Sequence, residues 1–412
     1  MSVPSSLATA PVAPPRVGHT LAAVALALLL GLQPVTTDVY LPAFPLLSRE
    51  LAAPMTAAQL TMSALLLAFG LAQLVWGPVA DRVGRRAVLL WGLSLYTLAS
   101  IGCALAGSIE ALIVWRIVQG ACLAAAVVVA RAMVRDLYEP SEGARVMALA
   151  LTGLGVIALF SPLLGGAVAA WLGWRAALAL VALCGAAALV FVATTLPETL
   201  LQKNPAATRP GPLLAAWKTI ALHPVFQAWA LLITCTYGGL FVTLAGSSFV
   251  FLGVVGFTPL QFGVALGSCS LAYMTGTAFC RRWVARHGML GAVRRGALFT
   301  GAGGALIVLL ALAEVRQAWA LLLPMWLYAF GHGNHQPCGQ AAVVGPFPRH
   351  AGAAAALAGF MLAAVAFLIG LWLGTQPLSA STWPLASGIG FWAACTCAVA
   401  GWLLPRALRT PH

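Results

Sequence analysis

Apolar runs of about 20 residues recur along this chain, and one helix of that length crosses the ~30 Å apolar core of a bilayer. Twelve such runs begin near Thr20, Ala57, Ala87, Glu110, Ala144, Arg175, Phe226, Gln261, Val293, Ala318, Gly352 and Trp383. The 412 residues are 61% hydrophobic and only 8% charged. A soluble domain of this size could not hide that much apolar surface, because its exterior must be largely polar or mixed. Lipid is therefore the expected solvent for most of the chain, and the expected class is an all-α integral membrane protein with twelve transmembrane helices.

Charge placement tests that count. The net charge of +13 would suit a nucleic-acid binder, but the basic residues sort by topology instead. Short loops rich in Lys and Arg stay on the cytoplasmic side. With the N-terminus inside, 18 of the 22 basic residues fall on that side, and Arg49, Arg175 and Arg316 fall on the other. Arg116 lies within a span. An odd number of spans in the middle would destroy this alternation, so both termini are expected in the cytoplasm.

The longest polar interruption, Pro197 to Pro224, holds Lys203, Arg209, Lys218 and several prolines. It divides six spans from six. The expected organisation is a cytoplasmic tail over 1–19, a six-helix bundle over 20–196, a linker over 197–224, a second bundle over 225–405 and a tail over 406–412. The apolar run after Arg16 continues past Val35 and Tyr40 without a small-residue cleavage site, so it is taken as the first span rather than a signal peptide. Nine cysteines are scattered singly and predict buried free thiols, with no disulfide framework or zinc site.

Between the second and third runs lies Gly77-Pro78-Val79-Ala80-Asp81-Arg82-Val83-Gly84-Arg85-Arg86. Its glycines and proline permit a tight reversal, and its acid and three arginines stand out in a chain so poor in charge. After the eighth run, Arg281-Arg282-Trp283-Val284-Ala285-Arg286-His287-Gly288 echoes it without the acid. Two pseudo-symmetric six-helix bundles around a central cavity are what such a repeat implies.

Ionisable groups inside spans are costly and usually face a cavity or a partner. Eight of the nine acids lie at span ends or in loops; the exception is Asp38, with Pro34 and Pro42 four residues to either side. Apolar surroundings penalise a carboxylate's charged form, so Asp38 could take up and release a proton near neutral pH, or attract a cation. Arg116 is the other buried charge, with Gln119 on the same helix face. A guanidinium favours the ionised form of a nearby acid, so Asp38 and Arg116 could form a pair whose protonation follows conformation; a fixed ion pair is the rival. Gly153, Gly155, Ser161, Pro162, Gly165 and Gly166 make the fifth span one that can pack closely and bend. His332, Asn334, His335 and Gln336 form an unusual polar run in the tenth span; two histidines alone make a poor metal site. Tyr237 and Phe241 are candidate aromatic wall. With Gln33, Tyr40, Gln119 and His335 they complete a tentative substrate cavity.

Thr37-Asp38-Val39-Tyr40-Leu41-Pro42-Ala43-Phe44-Pro45 resembles the first-helix signature of the Bcr/CflA group of drug–proton antiporters, within the major facilitator superfamily. The Gly77–Arg86 motif, Arg116-x-x-Gln119-Gly120, Ser161-Pro162-x-x-Gly165-Gly166 and Leu196-Pro197-Glu198-Thr199-Leu200 are similar to other motifs of that group in the expected order. The resemblance implies proton-driven export by rocking of two six-helix halves, in a bacterial inner membrane and without a cofactor. It implies Asp38 as the proton and substrate site, with Arg116 biasing it. Asp81 and Arg85 would help close the cytoplasmic side, and Pro162, Gly165 and Gly166 would mark an antiporter. The expected partners are a small molecule, protons and lipid, for a protein acting as a monomer. Some multidrug relatives carry a second acid where Leu30 stands here, so neutral or zwitterionic cargo fits as well as cationic cargo.

The competing expectation is a proton-coupled carrier of an ordinary metabolite such as an amino acid, peptide or sugar derivative. A membrane enzyme would need a nucleophile–base spacing, a phosphate loop or a metal cluster, none of which is evident. A receptor would need a signalling domain to drive.

Overall fold

The computed structural model describes residues 18–408. Most of the tail expected over 1–19, and residues 409–412, lie outside the described residues. Among the described residues, nine helices are long and apolar enough to cross a membrane. Two of these are double. Pro140–Thr195 breaks at Gly173 (φ 82°, ψ 177°) and Pro259–Leu312 at Gly288 (φ 68°, ψ 175°). Each combines a left-handed φ with an extended ψ, a conformation that only glycine adopts without strain. A further 27-residue helix, Ala318–Val344, is long enough to span but is made less apolar by its His-Gly-Asn-His-Gln run.

The spans are therefore α1 (His19–Asp38), α2 (Met55–Val83), α3 (Arg85–Ala104), α4 (Ile109–Leu137), α5 (140–172), α6 (174–195), α7 (Pro224–Val250), α8 (259–287), α9 (289–312), α10 (Ala318–Val344), α11 (Ala351–Gly374) and α12 (Trp383–Ala398). Twelve spans match the expected number. The expected start of the ninth, Val293, is four residues late because Gly288 alone makes the turn.

Starts are marked by ordinary capping chemistry. Ser108 Oγ accepts from the Ala111 N–H at α4, and Thr258 and Gln261 form a reciprocal capping box at α8. Helix ends also alternate between two sides. Arg86, at the start of α3, donates to the carbonyls of Ala193 and Leu196 at the end of α6. At the opposite side Glu50 accepts from Trp174 Nε1 and pairs with Arg175 at 3.1 Å.

The stretch expected to be a plain linker contains a helix, Pro210–Leu222. Leu213, Ala216, Trp217 and Ile220 fall on its more buried face at helical spacing, and Pro210 occupies the first turn, where no N–H is needed.

In lipid the apolar effect does not press helices together, so close contact between backbones must do so. Equivalent helices of the two repeats use the same device. Gly120 of α4 lies against the Leu65 carbonyl of α2, and Gly276 of α8 lies against the Phe330 carbonyl of α10. A Cβ at either would collide with that backbone. The two six-helix sets meet along two seams, α2 with α11 and α5 with α8. Large side chains such as Leu105, Trp171, Leu172 and Leu298 are more than two-thirds exposed, as a lipid-facing surface requires.

Candidate functional site

Asp38 and Arg116, the two charges that the sequence reading sets within spans, occupy opposite sides of α1. The helix ends at Asp38 and continues as a 3-10 turn, Leu41–Ala43. Pro42 has no N–H to offer the Asp38 carbonyl. Thr36 and Tyr40 share a face four residues apart, and Asp38 is turned about 200° from Thr36. Arg116, fully buried, reaches that first face. Its Nη1 donates to the Thr36 carbonyl at 3.3 Å and to Gln119 Oε1 at 2.9 Å. Its guanidinium carbon lies 3.9 Å from the Tyr40 ring centroid, close enough for a cation–π contact. Nε and Nη2 have no hydrogen-bond partner among the described residues.

Asp38 is half-buried and accepts from Thr37 Oγ1 at 2.7 Å. It makes no ion pair with Arg116 among the described residues. The expected pair is thus not formed, because the helix turns the two partners' contact faces apart.

Tyr40 and Gln119, expected in a cavity, are fully buried within the first bundle. The Tyr40 hydroxyl donates to Thr61, whose own proton goes to the Ala58 carbonyl. Gln119 Nε2 donates to Ser100 of α3 at 2.7 Å. Gln33 is half-buried, its carbonyl 3.1 Å from Thr37 Oγ1, whose proton goes to Asp38. Tyr237 of α7, in the second bundle, is half-buried. Its ring stacks on that of fully buried Phe241, with centroids 6.4 Å apart.

His335 is also turned away from the seams. Its Nε2 lies 3.1 Å from the Val293 carbonyl of α9 and must donate to it. In a neutral imidazole the other nitrogen then accepts, so Thr236 Oγ1 gives its proton to His335 Nδ1 at 3.1 Å. His332 Nδ1, also 3.1 Å from Thr236 Oγ1, is left to donate to it. The two histidines and the threonine thus close on one another within the second bundle.

The Gly77–Arg86 motif forms a knot at the basic end. Arg85 Nη1 reaches Asp81 at 2.6 Å and its Nε reaches Asp136 of α4 at 2.8 Å. Arg82 donates to Thr208, and the Asn204 N–H donates to the Asp81 carbonyl. Glu198 accepts the free N–H groups of Arg85 and Arg86 at the start of α3 (2.9 and 3.1 Å) and those of Thr199 and Leu200. A carboxylate there meets the positive end of the α3 dipole. Gly84 has φ 121°, and a Cβ would strike Glu198. Gly77 is under no such constraint.

In the fifth span, a Cβ at Gly165 would collide with the Val39 carbonyl, and one at Gly166 with the Pro259 carbonyl. Gly263 of α8 lies as close to the Pro162 carbonyl. This motif therefore fits α5 against both the broken end of α1 and the second bundle.

The bundles touch at both ends. Away from the basic end, Gln59 Nε2 donates to the Ala245 carbonyl at 2.8 Å and the Phe44 and Phe249 rings lie 5.0 Å apart. Near the basic end, Gln73 of α2 packs on Gly359 and Arg135 of α4 on Gly352. The sequence does not single out Asp136, Gln59 or Thr236. Asp136, one of few acids and beside a span end, carries the one legible signal. An amide or hydroxyl in an apolar run gives none until its partner on a distant helix is placed.

The Major Facilitator Superfamily model matches residues 26–371. Multidrug resistance protein D of Escherichia coli (strain K12) is 31% identical over 335 residues, 81% of this chain and 83% of that protein. A chloramphenicol resistance protein of Pseudomonas aeruginosa is 32% identical over 295 residues, 71% of this chain and 69% of that protein. The human organic anion transporter MFSD10 (TETRAN) shares the fold, with a TM-score of 0.69 at 19% identity, over 94% of this chain and all of that one. With twelve helices in this arrangement and the family match extending over most of its length, this chain belongs to the Major Facilitator Superfamily.

Proposed function

We propose that this membrane protein exports small drug-like molecules in exchange for protons, with its basic end in the cytoplasm of a bacterial inner membrane. The observation that carries the reading is Asp38, the acid that the chain's apolar runs set apart from those in its loops and basic motifs. It stands at the broken end of α1, accepting from Thr37 and paired with no cation among the described residues. A carboxylate there can exchange a proton for cargo. A permanently paired one could not. The relatives named for multidrug and chloramphenicol resistance support export of antibiotics over carriage of a metabolite.

Transport then requires the seams to open in turn. Opening away from the basic end parts Gln59 from the Ala245 carbonyl and Phe44 from Phe249. Opening the basic end parts Gln73 from Gly359 and Arg135 from Gly352. The packing of Gly165 on Val39 ties bending of α5 to the backbone next to Asp38. Arg116 biases Asp38 through the backbone of Thr36 and the ring of Tyr40 rather than by contact. The protein needs no cofactor and works as a monomer.

Inside-out vesicles energised with a pH gradient test the reading. Addition of a transported drug releases protons from wild type, and Asp38→Asn, equally inserted, releases none. Unchanged proton release by Asp38→Asn would remove Asp38 from the coupling. Drug-independent behaviour of wild type would favour a metabolite.

A further inference from the structure

Of the nine cysteines, Cys280 of α8 and Cys338 of α10 stand apart. Their sulfurs are 3.5 Å from each other, and both residues are buried, at 3% and 4% exposure. The Cys280 Sγ also lies 3.7 Å from the Asn334 carbonyl. Since a carbonyl only accepts, Cys280 points its S–H there, and Cys338 points its own at the Cys280 sulfur. The two thiols are stacked in one direction.

They are also held in register. Gly276, one turn before Cys280, presses on the Phe330 carbonyl, and Gly333 presses on the Tyr273 carbonyl. Neither helix can slide without breaking one of these contacts. Two soft sulfur donors at fixed separation form a chelate for a soft acceptor. The separation selects among acceptors. A two-coordinate linear ion such as Hg²⁺ or Cu⁺ needs its sulfurs on opposite sides and therefore further apart. Trivalent arsenic bonds its ligands at close to right angles, which leaves two bridged sulfurs about as near as these. His335 lies one turn from Cys338, but both its nitrogens are already bonded, and no cluster of three metal-ligating side chains occurs among the described residues. The site therefore supplies two ligands, not three.

We propose that Cys280 and Cys338 form a dithiol site that captures monosubstituted trivalent arsenicals, R–As(OH)2. Two As–O bonds break and two As–S bonds form. Each thiol proton leaves with a hydroxide as water, so two waters are released. Arsenic stays trivalent and no electrons are transferred, so no oxidant or reductant is needed. The product ties α8 to α10 within the second bundle. The proposal is independent of what the protein transports.

Phenylarsine oxide, which hydrates to this form, is the probe. After incubation with the folded, full-length protein and removal of excess, denaturation and thiol counting should give seven reactive thiols in place of nine. Intact mass should rise by one phenylarsenic unit. A 1,2-dithiol should reverse both changes, whereas an equivalent monothiol should not. Cys280→Ser and Cys338→Ser should each bind on the order of 100-fold more weakly, since each loses the second, intramolecular bond. Cys122→Ser, elsewhere in the protein, should bind as wild type does. Nine thiols after treatment of folded wild type would overturn the proposal. Undiminished capture by either serine variant would do so as well.

Discussion

A buried polar node in each bundle sits on corresponding helices, and the two are built to opposite ends. In the first, α1, α3 and α4 meet at Thr36, Ser100, Arg116 and Gln119. In the second, α7, α9 and α10 meet at Thr236, the Val293 carbonyl, His332 and His335. The second node is neutral and its bonds close on one another: the Val293 carbonyl accepts, the Thr236 hydroxyl is fully used, and the histidine protons are assigned by elimination. The first contains a full charge with two donor nitrogens unfilled among the described residues. Each unfilled donor in a buried site costs about 1–3 kcal/mol, and more when charged. A satisfied neutral node holds helices in place. An unsatisfied charged one leaves energy to be gained by rearrangement, which is what a residue serving a proton cycle must have.

Three substitutions break or sharpen this contrast, from large effect to small. Arg116→Ala should lower drug-driven proton release by at least about 100-fold, equivalent to about 3 kcal/mol of activation free energy. Its thermal midpoint should move little, because the unpaired donors leave with the side chain. A large drop in stability with normal coupling would make the first node as structural as the second. Tyr40→Leu should come next. Loss of a desolvated cation–π contact, about 2 kcal/mol, should reduce transport tens of fold, with Tyr40→Phe restoring most of it because the ring remains. Equal impairment of both variants would assign the effect to the hydroxyl bond with Thr61 instead. The smallest effect on transport belongs to Thr236→Val, which leaves both histidines short of a partner. It should destabilise the protein by roughly 1–3 kcal/mol, measured by thermal unfolding in detergent, while the pH dependence of transport stays as in wild type. A shifted pH profile would show that the second node titrates during the cycle.

Much of this is legible in the chain itself. Apolar run length and the asymmetry of basic residues lead to twelve spans, and the Gly84 and Gly288 echo marks equivalent turns in two repeats. Asp38, Arg116 and the Gly77–Arg86 motif stand out because charge is so scarce here. The helix in the linker is hidden by its prolines, which read as interruptions, although Leu213, Ala216, Trp217 and Ile220 have helical spacing. Tyr40, Gln119 and His335 suggest a cavity because they are polar and lie in spans. Polarity tells that such a side chain needs a partner, not on which side of its helix the partner stands.

That division has a physical basis. Whether a segment enters lipid, and which way it runs, depends on the summed transfer energy of its own residues and on charges near its ends, all local to the sequence. Whether Asp38 faces Arg116 depends on the rotation of α1 against α4, and whether Gln59 bonds Ala245 depends on where two helices far apart in the chain come to rest. Those relations come from packing between backbones, glycine against carbonyl, and exist only once the helices are assembled.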